Sequence, residues 1–371
     1  MSERDETLGD LGELALIERI AARARRARDA RSSRGTRDSR DLRPHDDADN
    51  GIRVGIGDDA AVLDAPRGAL LVTTDAYVEG IHFRRDFSSD REIGWKAAAG
   101  ALSDIAAMGG RARHLFLALG APSETPLGAI DAIIDGLLEL STQHGVALAG
   151  GDTVASPDCI FLGLTVLGEP AGAAPITRSG ARPGDRVLVT GALGGSLAGL
   201  LLLRLHSGES PTSPDALAAL ARHRAPEPRL REASFLATRF PLSAMIDISD
   251  GLSSEVHHLA SASKVGMRID LTRIPVAPSA ANLAGTFGFS AMQLALESGE
   301  EYELLFTAPA AEAEAIGQAL ADETGTPATI IGEVTTDPRV VSRDARGHEA
   351  PLAAGGWRHF GTLDSGPQSR S

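Results

Sequence analysis

The sequence predicts an α+β protein of two domains, each a sheet covered by helices. Three observations lead there. Strand-like and helix-like segments alternate through both halves of the chain. A glycine- and proline-rich break, "ITRSGARPGD" at 176–185, separates the halves. The 371 residues, 43% of them hydrophobic, suffice to fill two cores of ordinary size.

From 11 to 20, "LGELALIERI" spaces Leu11, Leu14, Ile17 and Ile20 three apart, as one face of a short helix requires. The stretch that follows is rich in Arg, Asp and Ser and nearly without large apolar residues. Roughly 28–50 therefore reads as a disordered or solvated insertion; interleaved aspartates cancel much of the charge a nucleic-acid arm would need. "ALLVTTD" (69–75), "VALAGGD" (146–152) and "CIFLGLTVLGE" (159–169) read as strands, the first two ending in an acid. "DREIGWKAAAGALSDIAAMGG" (90–110) opens on acidic residues and closes on glycine, as helices do, and "LGAIDAIIDGLLELSTQHG" (127–145) repeats the pattern. Beyond the break, "RVLVTG" reads as strand, "GGSLAGLLLLRLHSG" as helix, "SAMIDISDG" as strand into turn and "LSSEVHHLASASKVG" as helix. The expected domains are 51–175 and 176–360. An N-terminal helix and the insertion fill 1–50, and a loose tail runs over 361–371.

A formal charge of −14 argues against a general nucleic-acid or anionic-membrane surface. Cys159 is the single cysteine, which leaves no intrachain disulfide and no cysteine-rich metal site. No apolar run approaches the roughly 18 residues of a membrane span. The start, "MSERDETLGD", has no secretory apolar region, so the expected location is the cytoplasm.

One chemical feature recurs: an aspartate at the exit of a strand-like run, beside glycine, serine or threonine. It occurs at Asp58 and Asp59 in "GIGDDAAVL", at Asp75 after Thr73 and Thr74, at Asp152 after Gly150 and Gly151, and at Asp247 and Asp250 in "IDISDG". Asp104 sits instead within a helix, between Leu102 and Ile105. Singly, each is as well explained as a turn residue or helix cap. Together they suit Mg²⁺, which is held by carboxylates with water and phosphate oxygens. Several such ions against one triphosphate would let so acidic a protein bind ATP and transfer its γ-phosphoryl group. Arg178 in "TRSGA" is the candidate positive group, with an exposed loop arginine as the alternative. Other signatures are missing: no G-x-x-x-x-G-K-[ST] in a chain whose only lysines are Lys96 and Lys264, and no G-x-S-x-G elbow. "GALGGS" (191–196) fails the dinucleotide fingerprint and reads as a tight strand-to-helix turn. His257 and His258 read as surface or partly buried helix residues rather than ligands.

The ordered set "LGELALIERI", "GIGDDAAVL", "TTDAYVEGIHF", "KAAAGALSDIAAMGG", "GGDT", "TRSGARPGD", "IDISDGLSSEV", "SGEEYELLF" and "GWRHF" resembles the thiamine-monophosphate kinases. It spans nearly everything from 11 to 360 except the insertion. The resemblance implies an enzyme of the aminoimidazole ribonucleotide synthetase-like superfamily, with an N-terminal sheet that pairs across a homodimer and a C-terminal α/β domain. It implies ATP- and Mg²⁺-dependent phosphorylation of thiamine monophosphate to thiamine diphosphate, the last step of that cofactor's biosynthesis. Asp59, Thr73, Thr74, Asp75, Asp104, Asp152, Asp247 and Asp250 fall where such enzymes bind Mg²⁺, with Asp75, Asp247 and Asp250 as the catalytic carboxylates. Gly151, Asp152, Arg178 and Ser249 fall where they hold ATP, and His82, Glu300 and Trp357 where they contact thiamine monophosphate. Trp357 could stack on the cationic thiazolium, although a tryptophan near the end of a chain also suits a core. The family usually reads G-G-E-D-Y-E-L where this chain has Ser298 for a glycine and Glu301 for an aspartate. Selenophosphate synthetases and hydrogenase-maturation dehydratases of the same superfamily commonly carry a cysteine or selenocysteine near one terminus, and neither end here has one. A module that binds nucleotide without transferring phosphate stays open on sequence alone.

Overall fold

The computed structural model describes residues 6–34, 51–56, 60–66, 68–205 and 212–357. It divides into two compact units at Glu169 and Pro170, with Ala106–Gly110 belonging to the second. The sequence placed that division at 175 and 176.

The first unit opens with a one-turn helix, α1 (Leu8–Leu11), closed by a capping box between Thr7 and Asp10. Helix α2 (Glu13–Arg34) follows. It buries Leu16, Ile20, Ala21 and Ala24 and runs on past residue 28, where the sequence reading began the insertion. The correction has a physical cause. Alanine and arginine are good helix formers, and upstream of residue 28 the arginines of α2 anchor it to the later helix Leu127–Gln143. Arg19 Nε donates to Asp131 at 2.7 Å, Arg23 lies 2.8 Å from the same carboxylate, and Arg23 also pairs with Asp135. Residues 35–50 of the expected insertion lie outside the described residues.

Next come β1 (Ile52–Val54) and β2 (Val62–Leu63), a small antiparallel pair, then β3 (Leu71–Val78), α3 (Asp90–Ala107), β4 (Gly110–Ala121), α4 (Leu127–Gln143), β5 (Ala147–Ala155) and β6 (Phe161–Pro170). The last four strands of this unit form one sheet in the order β3-β6-β4-β5. β3 and β6 are antiparallel, and β4 and β5 are parallel. The strands expected around 69–75, 146–152 and 159–169 are present, as are both helices. β4 had no counterpart in the sequence reading, which carried the preceding helix to 110. The strand does alternate, with Ala112 and His114 buried and Arg111 and Arg113 half-buried, but in sequence the glycines at 109 and 110 read only as a helix end. Helix α3 is buried on nearly all sides through Ala97, Ala98, Ala101, Leu102 and Ile105. It meets α4 backbone to backbone: a Cβ at Gly94 would lie 1.8 Å from the Ile133 carbonyl oxygen.

The second unit runs β7 (Arg186–Thr190), α5 (Gly195–Leu205), α6 (Pro214–Arg224), α7 (Leu230–Arg239), β8 (Ala244–Asp247), α8 (Leu252–Ser263), β9 (Gly266–Asp270), α9 (Pro278–Leu283), α10 (Ala291–Glu297), β10 (Leu304–Ala308), α11 (Ala313–Thr324), β11 (Ala328–Thr335), β12 (Val340–Arg343) and β13 (Glu349–Pro351). Its seven-stranded sheet has the order β13-β12-β9-β11-β7-β10-β8. Val187, Val189, Ile246, Ile269, Leu305 and Ile331 form one face of the core with Leu252, Val256 and Leu259 of α8. The glycine-rich 191–196 is the tight turn expected of it. Gly191 and Gly194 adopt φ of 62° and 95°, conformations that disfavour any side chain.

That turn is fixed by a buried ion network. Glu301, fully buried, accepts from the backbone N–H groups of Gly194 at 2.8 Å and Ser196 at 3.1 Å, which caps the start of α5 with a carboxylate. Its other oxygen accepts from Arg222 Nε at 3.0 Å. Glu303, on the same extended run, is shared by two arginines. Arg229 donates to both of its oxygens, at 2.7 and 2.6 Å, and Arg222 pairs with it as well. Thr190 Oγ1 adds a bond of 2.7 Å. Burial pushes the Glu303 carboxyl up, but the two guanidinium charges and these hydrogen bonds outweigh it and hold it below the ordinary carboxylate range. A carboxylate depressed in the folded state stabilises above its unfolded value, 4.5, and that stabilisation is lost as pH falls through the lower folded value. Glu303→Gln therefore costs about 3 kcal/mol or more at neutral pH, because two buried arginines lose their shared anion. In urea denaturation the gap from wild type narrows as pH drops below 4.5. A gap undiminished at about pH 3 would contradict the assignment.

Candidate functional site

In the first unit, strand alternation sorts the predicted residues. Thr73 and Asp75 share the face of Leu71 and Tyr77, both buried, whereas Thr74 shares the exposed face of Val72 and Ala76. Thr73 Oγ1 accordingly donates to the Asp104 carboxylate on α3. The Thr74 hydroxyl instead lies 2.9 Å from that of Thr165 on β6. Thr73, Asp75 and Asp104 are thus brought together, and the Thr74 side chain is not among them. This is also why Asp104 stands inside a helix otherwise buried in alanine and leucine: it looks onto β3.

Asp75 is partly buried next to the Asp104 charge, and burial first, then that repulsion, pushes its carboxyl up to about 6. Two carboxylates and a hydroxyl, all hard oxygen donors, with the like charges raising each other's energy, fit a hard divalent cation. Among the described residues no group of three or more His, Cys, Asp or Glu stands ready to hold a metal alone. Asp59 and its neighbour Asp58 lie outside the described residues.

His82 follows β3 in a turn where its Nδ1 accepts from the Val78 N–H at 3.1 Å and its ring lies against Tyr77. Accepting through Nδ1 places the hydrogen of the neutral ring on Nε2, a donor. On β5, Gly151 passes so close to β4 that a Cβ would lie 2.0 Å from the Leu117 carbonyl oxygen. Only glycine fits there. Asp152, next along, is exposed and borders a cavity of about 440 Å³ walled partly by Leu16, Leu119 and Val154.

In the second unit three separate motifs meet. β8 ends at Asp247, which is buried, and the chain turns through Ser249 and Asp250 into α8. The Ser249 carbonyl accepts from the Glu300 N–H at 2.7 Å, and the Asp250 carbonyl from the Trp357 N–H at 3.2 Å. Ser253 ties the same corner, donating to the Leu296 carbonyl and accepting from the Gly355 N–H at 3.1 Å. A Cβ at Gly356 would lie 2.2 Å from the Asp250 carbonyl oxygen, so glycine is needed for the tail to close in. Trp357 is half-buried rather than enclosed in the core.

Three features of this corner were not visible in the sequence. Glu300 and Tyr302 hold φ of 56° and 50°, the left-handed region that non-glycine residues rarely enter. Glu255, buried on α8, accepts the Asp250 N–H at 3.1 Å and lies 2.8 Å from His258 Nδ1. Burial raises the Glu255 carboxyl above its usual range. His258 thus serves the Asp250 turn through Glu255, and His257 contacts the Leu352 carbonyl at 2.7 Å. Arg178 lies in an exposed loop pinned by Ser263, whose hydroxyl accepts from the N–H groups of Gly180 and Ala181. Among the described residues the Arg178 guanidinium makes no hydrogen bond or ion pair, which leaves it available to an anion.

Two families named AIR synthase related protein match the chain, the N-terminal domain over residues 57–169 and the C-terminal domain over 182–345. The thiamine-monophosphate kinase of Salmonella typhimurium is 38% identical over 314 residues, 84% of this chain and 93% of that protein. A crystal structure of the thiamine-monophosphate kinase from Stenotrophomonas maltophilia aligns with a TM-score of 0.74 at 34% identity, covering 92% of this chain and 98% of that one. A structure of AaThiL complexed with AMPPCP and TMP aligns with a TM-score of 0.70 at 28% identity, covering 96% and 100%.

The Asp75 geometry yields a prediction that needs no ligand. A carboxyl raised from 3.8 to about 6 keeps its proton in the folded state after the unfolded chain has lost its own, so stability falls as pH rises through that interval. Asp75→Asn removes the penalty. It raises the stability of the metal-free protein by about 1–3 kcal/mol above pH 6, as urea denaturation on either side of that pH measures.

Proposed function

Because this chain belongs to the thiamine-monophosphate kinase family, we infer that it transfers the γ-phosphoryl group of ATP to thiamine monophosphate, giving thiamine diphosphate and ADP. The observation that carries this reading is the corner where Asp250, Glu300 and Trp357 are joined through backbone hydrogen bonds. It sets an aspartate suited to the phosphate end of the reaction beside an acid and an indole suited to a cationic, aromatic acceptor.

The roles follow from chemistry. Trp357 stacks on the thiamine rings, and Glu300 complements the thiazolium charge or accepts from the aminopyrimidine. His82 directs its Nε2 hydrogen toward the substrate phosphate. Arg178 neutralises ATP phosphate oxygens, with backbone from Gly151 and Ser249 beside the nucleotide. The apolar walls next to Asp152 offer surface to a purine. Asp59, Thr73, Asp75, Asp104, Asp152, Asp247 and Asp250 would hold Mg²⁺, with the Thr74 side chain on the opposite face of β3 from Asp75. The bound ions supply charge neutralisation between the carboxylates and the two sets of phosphate oxygens. The raised energy of the Asp75 and Asp104 pair supports this set.

The terminal phosphate oxygen of thiamine monophosphate is ionised near neutral pH and attacks the γ-phosphorus in line. A dedicated general base is therefore not required. The reading carries a homodimer with it. β3 is an edge of the four-stranded sheet, and Leu70 and Val72 stand exposed along it, an arrangement that suits pairing with a second copy. It also carries a cytoplasmic location and no nucleic-acid partner; no helix among the described residues is long and apolar enough to cross a membrane.

The test is to incubate the purified protein with ATP, Mg²⁺ and thiamine monophosphate and to separate the thiamine phosphates. Thiamine diphosphate and ADP form in equal amounts, and EDTA abolishes both. Asp75→Asn and Asp247→Asn each lower kcat by about a hundredfold or more while remaining folded. ATP binding without thiamine diphosphate would overturn the reading.

A further inference from the structure

A buried histidine of the second unit lies beside Glu300. His223, on the last turn of α6, is 6% exposed and is fixed from two sides. Its Nδ1 lies 3.2 Å from Ser196 Oγ at the start of α5 and 3.7 Å from Glu300 Oε2. The two helices that carry this contact meet closely: a Cβ at Gly199 would lie 2.2 Å from the Ala219 carbonyl oxygen and 2.8 Å from His223 Cβ. The ring therefore has little freedom to swing away.

Glu300 needs such a partner. Its backbone is already immobile, held in the left-handed region by the bond to Ser249, while Tyr302 donates to the Ile248 carbonyl at 2.9 Å and Ile248 to the Glu303 carbonyl at 2.8 Å. Strain of this kind persists only where the surroundings enforce it. The carboxylate, by contrast, hangs on two methylenes and is 28% exposed. Without a contact it would sample several rotamers. Its neighbours on the motif are not available for the task, because Glu301 caps α5 and Glu303 is shared by Arg222 and Arg229. The two departures from the family pattern serve that division of labour. Ser298 Oγ donates to Glu301 Oε1 at 2.6 Å and accepts from the Leu197 N–H at 2.9 Å. The longer Glu301 is thereby locked into the helix start, and Glu300 alone faces outward. A carboxylate beside Nδ1 favours the ring form with hydrogen on that nitrogen.

We propose that His223 is a positioning residue that orients the Glu300 carboxylate for the cationic, nitrogen-rich rings of thiamine monophosphate, with Ser196 orienting His223 in turn. The proposal rests on the reading of Glu300 as a substrate contact. His223 touches neither substrate, so it acts on the affinity for the acceptor and not on ATP or on the transfer step.

The experiment is a kinetic cycle on the full chain with His223→Leu, Glu300→Gln and the double variant, reading KM for thiamine monophosphate, KM for ATP and kcat. His223→Leu raises the KM for thiamine monophosphate about tenfold, as loss of a polar contact that orients a charged group does, with the ATP KM and kcat within about twofold. Glu300→Gln raises the same KM. The double variant is no worse than Glu300→Gln alone, since a positioning residue has nothing left to position. His223→Asn, whose amide nitrogen reaches the place of Nδ1, recovers most of the loss, and melting curves accompany each variant. If His223→Leu does not fold, His223→Gln, which keeps bulk and polarity but shifts the donor, takes its place. Unchanged thiamine monophosphate KM in the His223 variants beside a raised one in Glu300→Gln overturns the positioning role. An unchanged KM in Glu300→Gln overturns the reading of Glu300, and the positioning role with it. Losses that add in the double variant, or that fall equally on ATP, would show His223 to be merely structural.

Discussion

The second unit depends on one interaction, the sharing of the buried Glu303 carboxylate between Arg222 and Arg229. Both arginines come from helical segments far from residue 303 in sequence, so the contact ties α6 and the start of α7 to the sheet. Burial alone would drive Glu303 toward its neutral form, and the arginines reverse that. Such a network costs desolvation and is a poor source of net stability. What it secures is geometry. Glu301 and Glu303 both face inward, and Glu300 and Tyr302, on either side of Glu301, hold left-handed conformations. The strained turn lies against Ser249 and Asp250, and the C-terminal tail lies against Asp250. Acidic residues that look alike in "SGEEYEL" thus divide into two that are buried and fix the fold, Glu301 and Glu303, and one, Glu300, that stays partly exposed.

The first unit solves the opposite problem. Asp75 and Asp104 stand close enough to repel each other, with Thr73 donating to Asp104. On the proposed reading, that charge would be met by a cation arriving with its phosphate ligands. The two units therefore use carboxylates in contrasting ways: shared by arginines at Glu303, and set against each other at Asp75 and Asp104.

Most of the fold was legible because its segments are short, periodic and bounded by glycine, as in Arg186–Thr190 followed by Gly195–Leu205. β4 was not, because the glycines that open it also read as the end of α3, and α2 runs on beyond residue 28 in a helix anchored upstream by Arg19 and Arg23 on Asp131 and Asp135, more than a hundred positions away. The aspartates of the site stood out by their repetition beside glycine and threonine. That Thr74 turns away from Asp75 follows from strand alternation and was available in principle. His223 and the arginine pair were not. No spacing in the sequence signals that residues 222 and 229 will meet residue 303, or that residue 223 will stand beside residue 300.

The central claim is that these carboxylates position two anions through bound cations and do not themselves accept phosphate. The most direct test is a single turnover with ATP labelled in its γ-phosphate, quenched at intervals and analysed for label on both protein and product. Direct transfer predicts label passing from ATP to the terminal phosphate of thiamine diphosphate with none on the protein at any time. Labelled protein that forms and decays at the rate of turnover would contradict it.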